Sequence, residues 1–310
     1  MKDKKEMERH GDAQTPRRGE RTQSSALPDP VSLASHPSSF IVHPSSFPLV
    51  AVDVGNNRIK CGLFLPRTAA GLPEPEQTLA LAGASDEFDR LSTLVASVAG
   101  QAIAWWIGSV NRPKATRLME WVRSHRPSDM IRLLAAGDLP LCVALERPDM
   151  VGIDRLLDAL AANQLRRADH AAVVIDVGSA ITVDLVSAEG VFLGGSILPG
   201  IAMSALALHT FTDLLPLVDM AELLTPPPAL GTSTVAAMCS GLFWGTVGAI
   251  RQLIGELAGE KLDQTDVFLT GGAGPAVAEL LGPAARHVPH LTLSGIALAA
   301  RSSVSGVSAR

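Results

Sequence analysis

Two four-residue stretches, Val52-Asp53-Val54-Gly55 and Ile175-Asp176-Val177-Gly178, decide the fold that the sequence predicts. Each ends a short apolar run rich in valine, Leu49–Val54 or Ala171–Val177, and such runs are typical of buried strands. In both places an aspartate at a strand end precedes a glycine that lets the backbone turn tightly. The repeat is about one domain apart, not one solenoid unit, so it predicts two similar α/β domains whose first turns face a shared cleft.

The segments that follow these strands support a duplication. Ile59–Leu65 reads as the hairpin partner of the first strand, and Ile181–Val186 with Val191–Ile197 repeats that scheme after the second. Further strands are predicted at 103–107, 131–134, 141–144 and 267–269, and helices at 86–98, 114–124, 201–210, 234–258 and 275–281. We therefore predict an N-terminal domain over residues 49–165 and a C-terminal domain over residues 166–305.

Residues 1–47 differ in composition from the rest of the chain. They are polar and charged, then rich in Pro and Ser, and the pentapeptide His36–Phe40 recurs as His43–Phe47. Because such a tract has neither a helical nor a strand period, we predict a disordered tail before the two domains. A docking tail, or upstream sequence translated from a misplaced start, are the other interpretations.

Composition limits the class of function. The formal net charge of −5 argues against broad nucleic-acid binding but leaves room for one small anionic substrate, and the absence of tyrosine excludes a role for a tyrosine hydroxyl. The three cysteines are far apart, which is typical of a reducing compartment. No apolar run is long enough to span a membrane and no secretory signal is evident. We predict a cytoplasmic protein without membrane contact.

The first turn has the chemistry of a phosphate site. It reads Asp53-Val54-Gly55-Asn56-Asn57-Arg58-Ile59-Lys60. The amides of a glycine turn can hold phosphate oxygens, Asn56 adds a donor, and Lys60 adds a positive charge. A carboxylate such as Asp53 beside bound phosphates usually acts through Mg²⁺. The other interpretation is an ordinary Asn-Gly hairpin turn.

Two further turns extend the pattern. The segment Asp176–Asp184 repeats the arrangement, with Gly178 and Ser179 available to phosphate, and Leu269-Thr270-Gly271-Gly272 lies where a strand precedes a helix. Together the three turns resemble the phosphate-1, phosphate-2 and adenosine motifs of the actin, hexokinase and Hsp70 superfamily. That resemblance implies two ribonuclease-H-like (actin-like ATPase) domains that bind ATP across a central cleft.

A fourth motif, Gly152-Ile153-Asp154-Arg155, begins an amphipathic helix between the two halves. Asp154 and Arg155 fall in the first turn, and Asp158 follows one turn later on the face of Asp154. An acid at a helix start is also favoured by the helix dipole alone, which is the simpler interpretation of Asp154.

With two more segments, the motifs resemble those of the type III pantothenate kinases. That family carries, in order, DxGNTxxK, GxDR, DxGTAxTxD, GGxIxPG and TxxAxxSG motifs. The matching segments are Asp53–Lys60, Gly152–Arg155, Asp176–Asp184, Gly194–Gly200 and Thr234–Gly241. They follow the family's order across residues 49–300.

The resemblance implies that the chain transfers phosphate from ATP to pantothenate, giving 4'-phosphopantothenate at the first step of coenzyme A biosynthesis. Asp154 would be the catalytic base, Asp53 would hold Mg²⁺, and Asp176 would hold a monovalent cation, K⁺ or NH₄⁺. The implied ATP contacts are Asp53–Lys60 and Ser179; the implied pantothenate contacts are Gly152, Ile153, Asp154, Arg155 and Thr234. The family also implies a homodimer.

Four positions depart from the family's pattern, among them Asp158, which stands where the family has an asparagine. Asn57 and Ser179 replace threonines but keep polar side chains, whereas Leu145 stands where the family has a tyrosine that contacts substrate. These departures leave two alternatives open: a kinase of another small hydroxylated substrate, and a non-catalytic nucleotide-binding regulator. The presence of both Asp53 and Asp154 argues against the regulator.

Overall fold

The computed structural model describes residues 47–66, 71–82, 84–272, 274–283 and 285–305. The predicted disordered tail, residues 1–47, lies outside these ranges except for Phe47.

The first sheet has the strand that carries Asp53 at its centre. Its strands are β1 (Leu49–Val54), β2 (Ile59–Phe64), β3 (Gln77–Leu81), β4 (Ala104–Ser109) and β5 (Met130–Leu133). Their order is β3-β2-β1-β4-β5, with β1 antiparallel to β2 and parallel to β4. Because β1 is central and covered on both faces, its valines are fully buried, as a continuous apolar run predicts.

The second sheet repeats this arrangement around the strand that carries Asp176. Its strands are β6 (Cys142–Val143), β7 (Ala171–Val177), β8 (Ala180–Val186), β9 (Val191–Pro199), β10 (Thr265–Thr270) and β11 (Ala285–His287). The order is β11-β10-β7-β8-β9-β6, with β7 antiparallel to β8 and parallel to β10. Apart from β6, the strand order matches that of the first sheet. The prediction of an actin-like ATPase fold with two ribonuclease-H-like halves is confirmed.

The helices in the described residues are α1 (Leu91–Leu94), α2 (Arg112–His125), α3 (Ile153–Leu165), α4 (Ile201–Thr210), α5 (Thr234–Ala258), α6 (Gly274–Leu281) and α7 (Leu291–Ser305). Two of them, α3 and α7, lie between the sheets. Helices α3 and α7 share one apolar core with residues of both sheets, including Trp106 and Phe192. They approach closely at Gly295, where a Cβ would lie 2.7 Å from the carbonyl carbon of Leu157. This core fixes the start of α3 beside the ends of β1 and β7.

Several elements differ from the prediction. The continuous helix predicted at 86–98 is wrong: a 3₁₀ turn, the four-residue α1 and a second 3₁₀ turn stand there. This stretch is rich in Ser, Thr and Val, which weaken helices. Strands β3 and β11 and helix α7 were not predicted. The domain boundary at 165 and 166 stays a prediction; β6 precedes it yet pairs with β9, and α7 follows it yet packs on β1.

Candidate active site

Carboxylates gather where the ends of β1 and β7 meet the start of α3. Burial raises the pKa of Asp53 to about 7; the nearby positive charge of Lys60 opposes the rise, and the charges of Asp154 and Asp176 add to it. Burial also raises the pKa of Asp176, where Lys60 and Asp154 act in the same senses. The fold therefore brings the three acids predicted for catalysis and cation binding into one electrostatic cluster.

The first turn presents backbone groups together with three exposed side chains. The N–H of Gly55 donates to the carbonyl of Arg58 at 3.0 Å, which closes the turn. The side chains of Val54 and Ile59 are fully buried, so only their backbone groups can face a ligand. Asn56, Asn57 and Arg58 are exposed.

Lys60 lies across the base of this turn. Its Nζ is 3.9 Å from Oδ2 of Asp53, and 38% of its side chain is exposed. A cation at this point lowers the repulsion between the buried carboxylates and an incoming polyphosphate.

Gly178 closes the second turn, and Gly200 packs against it. The N–H of Gly178 donates to the carbonyl of Ala180 at 3.0 Å, and the N–H of Gly200 donates to the carbonyl of Ser179 at 3.1 Å. A Cβ at Gly200 would collide with the carbonyls of both Gly178 and Ser179. The Gly194–Gly200 segment therefore supports this turn from behind, a role that the sequence did not indicate.

Two buried carboxylate oxygens have no hydrogen-bond partner among the described residues: Oδ1 of Asp176 and Oδ1 of Asp158. Burial raises the pKa of Asp158 well above its ordinary value, and the charge of Asp176 adds to the rise. An unpartnered carboxylate oxygen suits a bound cation. Within the described ranges, however, no cluster of three or more His, Cys, Asp or Glu side chains is arranged to hold a metal ion. A cation here would need ligands from the nucleotide, from water or from the backbone.

Asp154 is anchored through one oxygen only. Its Oδ1 accepts the backbone N–H of Arg155 at 2.9 Å, while Oδ2 has no hydrogen-bond partner in the part of the chain that the structure describes. A Cβ at Gly152 would lie 2.5 Å from Oδ1 of Asp154, so any larger residue there would require this carboxylate to shift. The geometry leaves Oδ2 available to accept a proton.

Arg155 is held by a residue whose role the sequence did not show. Its Nε lies 3.1 Å from both carboxylate oxygens of Asp184, and its Nη2 also donates to Oδ1. The guanidinium lies over the ring of Phe192, 5.7 Å from the centroid. Burial raises the pKa of Asp184, and the hydrogen bonds from Arg155 oppose that rise. Among the described residues, Nε and Nη2 of Arg155 have a hydrogen-bond partner, whereas Nη1 has none.

Leu145 lies on the same wall of the cleft. A Cβ at Gly194 would be 3.2 Å from its Cδ2, and the next residue, Gly195, leaves room for Oδ1 of Asp184. Thr234 lies elsewhere. It is exposed in the first turn of α5, which Ser233 caps, and it makes no hydrogen bond to the carboxylate cluster in the described structure.

Other features bear on the setting of the site. The three cysteines, Cys61, Cys142 and Cys239, are free. None of the helices that the structure describes has the length and apolarity to cross a bilayer.

Comparison with known proteins identifies the family. The family model for type III pantothenate kinase matches residues 49–256. A type III pantothenate kinase of Dehalococcoides mccartyi (strain CBDB1) is 31% identical over 261 residues, covering 80% of this chain and 93% of the relative. One from Nocardia farcinica is 34% identical over 259 residues, with coverages of 80% and 95%. Among solved structures, MreB5 of Spiroplasma citri bound to ADP gives a TM-score of 0.47 at 8% identity, covering 85% of this chain and 99% of that one. The family match and the two sequence relatives show that the chain belongs to the type III pantothenate kinase family.

Proposed function

We propose that Asp154 is the base in the phosphorylation of pantothenate by ATP, the first step of coenzyme A biosynthesis. The observation that carries this proposal is the free Oδ2 of Asp154, fixed at the start of α3 and beside both glycine turns. Oδ2 accepts the proton of the substrate hydroxyl while the hydroxyl oxygen bonds to the γ-phosphorus of ATP. The bond from the γ-phosphorus to the bridging oxygen breaks, and ADP leaves with that oxygen. In phosphoryl transfer such positioning matters more than base strength.

ATP is placed with its phosphates on the two turns, Asp53–Lys60 and Gly178–Ser179. The amides of both turns and Lys60 receive the negative charge. Mg²⁺, when bound with ATP, neutralises part of the phosphate charge. Asp53 is the residue that would hold it, directly or through water, with its carboxyl in the ionised form.

Asp176 is the proposed contact for a monovalent cation, K⁺ or NH₄⁺. The unpartnered Oδ1 in a buried position supports this placement. A cation there offsets the burial cost of the carboxylate.

Pantothenate is placed at the start of α3, against Gly152, Ile153 and Arg155. Its carboxylate suits the remaining Nη1 of Arg155 and the backbone amides of a helix N-terminus. Thr234 stays a predicted contact with this substrate.

A homodimer is proposed from the apolar surface around α4. Its outer face carries Met203 and Leu206, exposed by 49% and 53%, and Phe211 follows at 84%. Ile197 on the adjoining strand β9 is 64% exposed. Apolar surface of this kind is typical of a subunit interface. We place the enzyme in the cytoplasm, which the free cysteines support, and assign it no nucleic-acid or membrane partner.

The test is an assay of the full chain for ATP-dependent phosphorylation of pantothenate with Mg²⁺, with and without K⁺. Asp154→Asn is expected to lower kcat by about 10²- to 10⁴-fold with little change in either KM. Asp149→Asn, an exposed acid just before α3, is the matched control. Full activity of Asp154→Asn would exclude Asp154 as the base. Turnover only with other hydroxylated compounds would redirect the assignment of substrate.

A further inference from the structure

The start of α2 lies against the first phosphate turn. Asn111 caps this helix: its Oδ1 accepts the backbone N–H of Lys114 at 3.1 Å. Its own N–H donates to Oγ of Ser109 at 3.0 Å, and the N–H of Val110 donates to the carbonyl of Val54 at 3.1 Å. Asn111 is therefore fixed relative to the end of β1.

The cap also determines how the side-chain amides of Asn111 and Asn56 are oriented towards each other. Because Oδ1 of Asn111 is used as the acceptor of the cap, Nδ2 is the group that faces Asn56. That Nδ2 donates to Oδ1 of Asn56 at 3.3 Å. With its oxygen used in this way, Asn56 keeps its Nδ2 as a donor, which has no partner among the described residues.

Lys114 fixes the backbone of the same turn. Its Nζ donates to the carbonyl of Asn56 at 2.7 Å and to the carbonyl of Ala82 at 3.2 Å. The side chain and the main chain of Asn56 are thus both held by the first turn of α2.

We propose that Asn111 and Lys114 are positioning residues for ATP. Asn111 orients the amide of Asn56 so that an N–H group, and not the oxygen, meets the phosphate oxygens; Lys114 holds the carbonyl away from them. Neither residue touches the nucleotide. The inference rests on the proposed placement of ATP on the turn Asp53–Lys60.

Two substitutions of Asn111 separate this role from helix capping. Both Asn111→Asp and Asn111→Ser keep a side-chain oxygen that caps α2. The aspartate can only accept hydrogen bonds, so Asn56 would turn its Nδ2 towards it and present its oxygen to the phosphates. The serine is too short to reach Asn56, and it adds no negative charge.

The measurements are the Tm of the nucleotide-free protein, the Kd of ATP by calorimetry, and the KM for pantothenate. For both variants we expect an unchanged Tm, an unchanged KM for pantothenate and a Kd for ATP raised about tenfold, as for one hydrogen bond to a charged group. Asn56→Ala is expected to raise the Kd by a similar factor. Asn111→Ser added to Asn56→Ala should then have no further effect.

Three outcomes would overturn the inference. Wild-type ATP affinity in Asn111→Ser, with affinity lost in Asn56→Ala, would reject the inference and leave the ATP site in place. Equal losses for Asn111→Ser in both backgrounds would show that Asn111 acts without Asn56. Unchanged affinity in Asn56→Ala itself would show that the side-chain amide of Asn56 does not meet the phosphates, which rejects the inference and leaves the backbone amides of the turn as the proposed ATP contacts.

Discussion

Gly271 packs directly against Asp176, across the gap between the ends of β10 and β7. A Cβ at Gly271 would lie 2.5 Å from the carbonyl oxygen of Val177 and closer still to Oδ1 of Asp176. Gly271 also has a φ of 96°, a backbone conformation that favours glycine. Its neighbour Gly272 has open space where a Cβ would stand. The two glycines of one motif therefore have different structural demands.

Alanine substitutions of Gly271 and Gly272 should have different effects on stability and on ATP binding. Gly271→Ala is expected to lower the free energy of unfolding by about 1–2 kcal/mol through its backbone conformation alone. It should also weaken ATP binding, because the carboxylate of Asp176 must move. Gly272→Ala should change neither. Urea unfolding and calorimetric ATP titration measure both effects, and equal behaviour of the two variants would contradict this account.

Loss of Asp184 should leave the guanidinium of Arg155 without its partner. Asp184→Asn is expected to lower the free energy of unfolding by about 3 kcal/mol, as for breaking a buried pair, and to raise the KM for pantothenate. The control is Asp149→Asn, which breaks the pair with Arg147, where 62% and 67% of the side chains are exposed. That variant should keep the wild-type unfolding midpoint. Similar midpoints for both variants would argue against a structural ion pair at Arg155.

Asp158 should make the nucleotide-free protein less stable as pH rises. Burial raises the pKa of Asp158 above its ordinary value of 3.8. The folded protein then keeps a proton that the unfolded chain releases, so the free energy of unfolding falls as pH rises from about 4 through the folded-state pKa. Asp158→Asn removes this loss.

The variant Asp158→Asn should therefore be more stable than wild type at pH 8 and similar to it at pH 4. Urea unfolding at a series of pH values, without nucleotide or added cations, gives the two slopes. Parallel slopes would show that Asp158 does not retain a proton on folding.

The apolar surface around α4 predicts the effect of a charge placed on it. Leu206→Glu should convert the proposed dimer to a monomer in light scattering, because burying a carboxylate at an interface without a partner is costly. Leu262→Glu changes a residue of similar exposure, 50%, in the 3₁₀ segment Gly259–Gln264. It should leave the mass unchanged. A dimer that survives Leu206→Glu would place the interface elsewhere.

The sequence predicted the parts of the site that depend on short local patterns. Asp53 and Asp176 each end a valine-rich strand, and each precedes a glycine, so both strand ends and both turns could be predicted from a few residues. The start of α3 was likewise evident from its apolar spacing.

The parts that depend on tertiary packing could not be predicted in this way. The contact of Arg155 with Asp184 depends on how α3 docks on β8, and no local pattern encodes that docking. Helix α7 contains Gly295 and several serines and is weakly amphipathic, so its sequence carries little helical signal. The reason for a small residue at Gly295 is its close packing against the backbone of Leu157, which is a tertiary contact.

Helix α7 also has a consequence for how the protein is made. It packs on β1 and β4 of the first sheet, although it follows every strand of the second. During synthesis the first sheet emerges early but lacks one of its covering layers until residue 305 has left the ribosome. The apolar face of the first sheet is then exposed for most of translation. An N-terminal domain usually folds first during synthesis, but here its folding requires the last helix of the described chain. The two halves are thus completed together, and a truncation before α7 would leave both of them without a finished core.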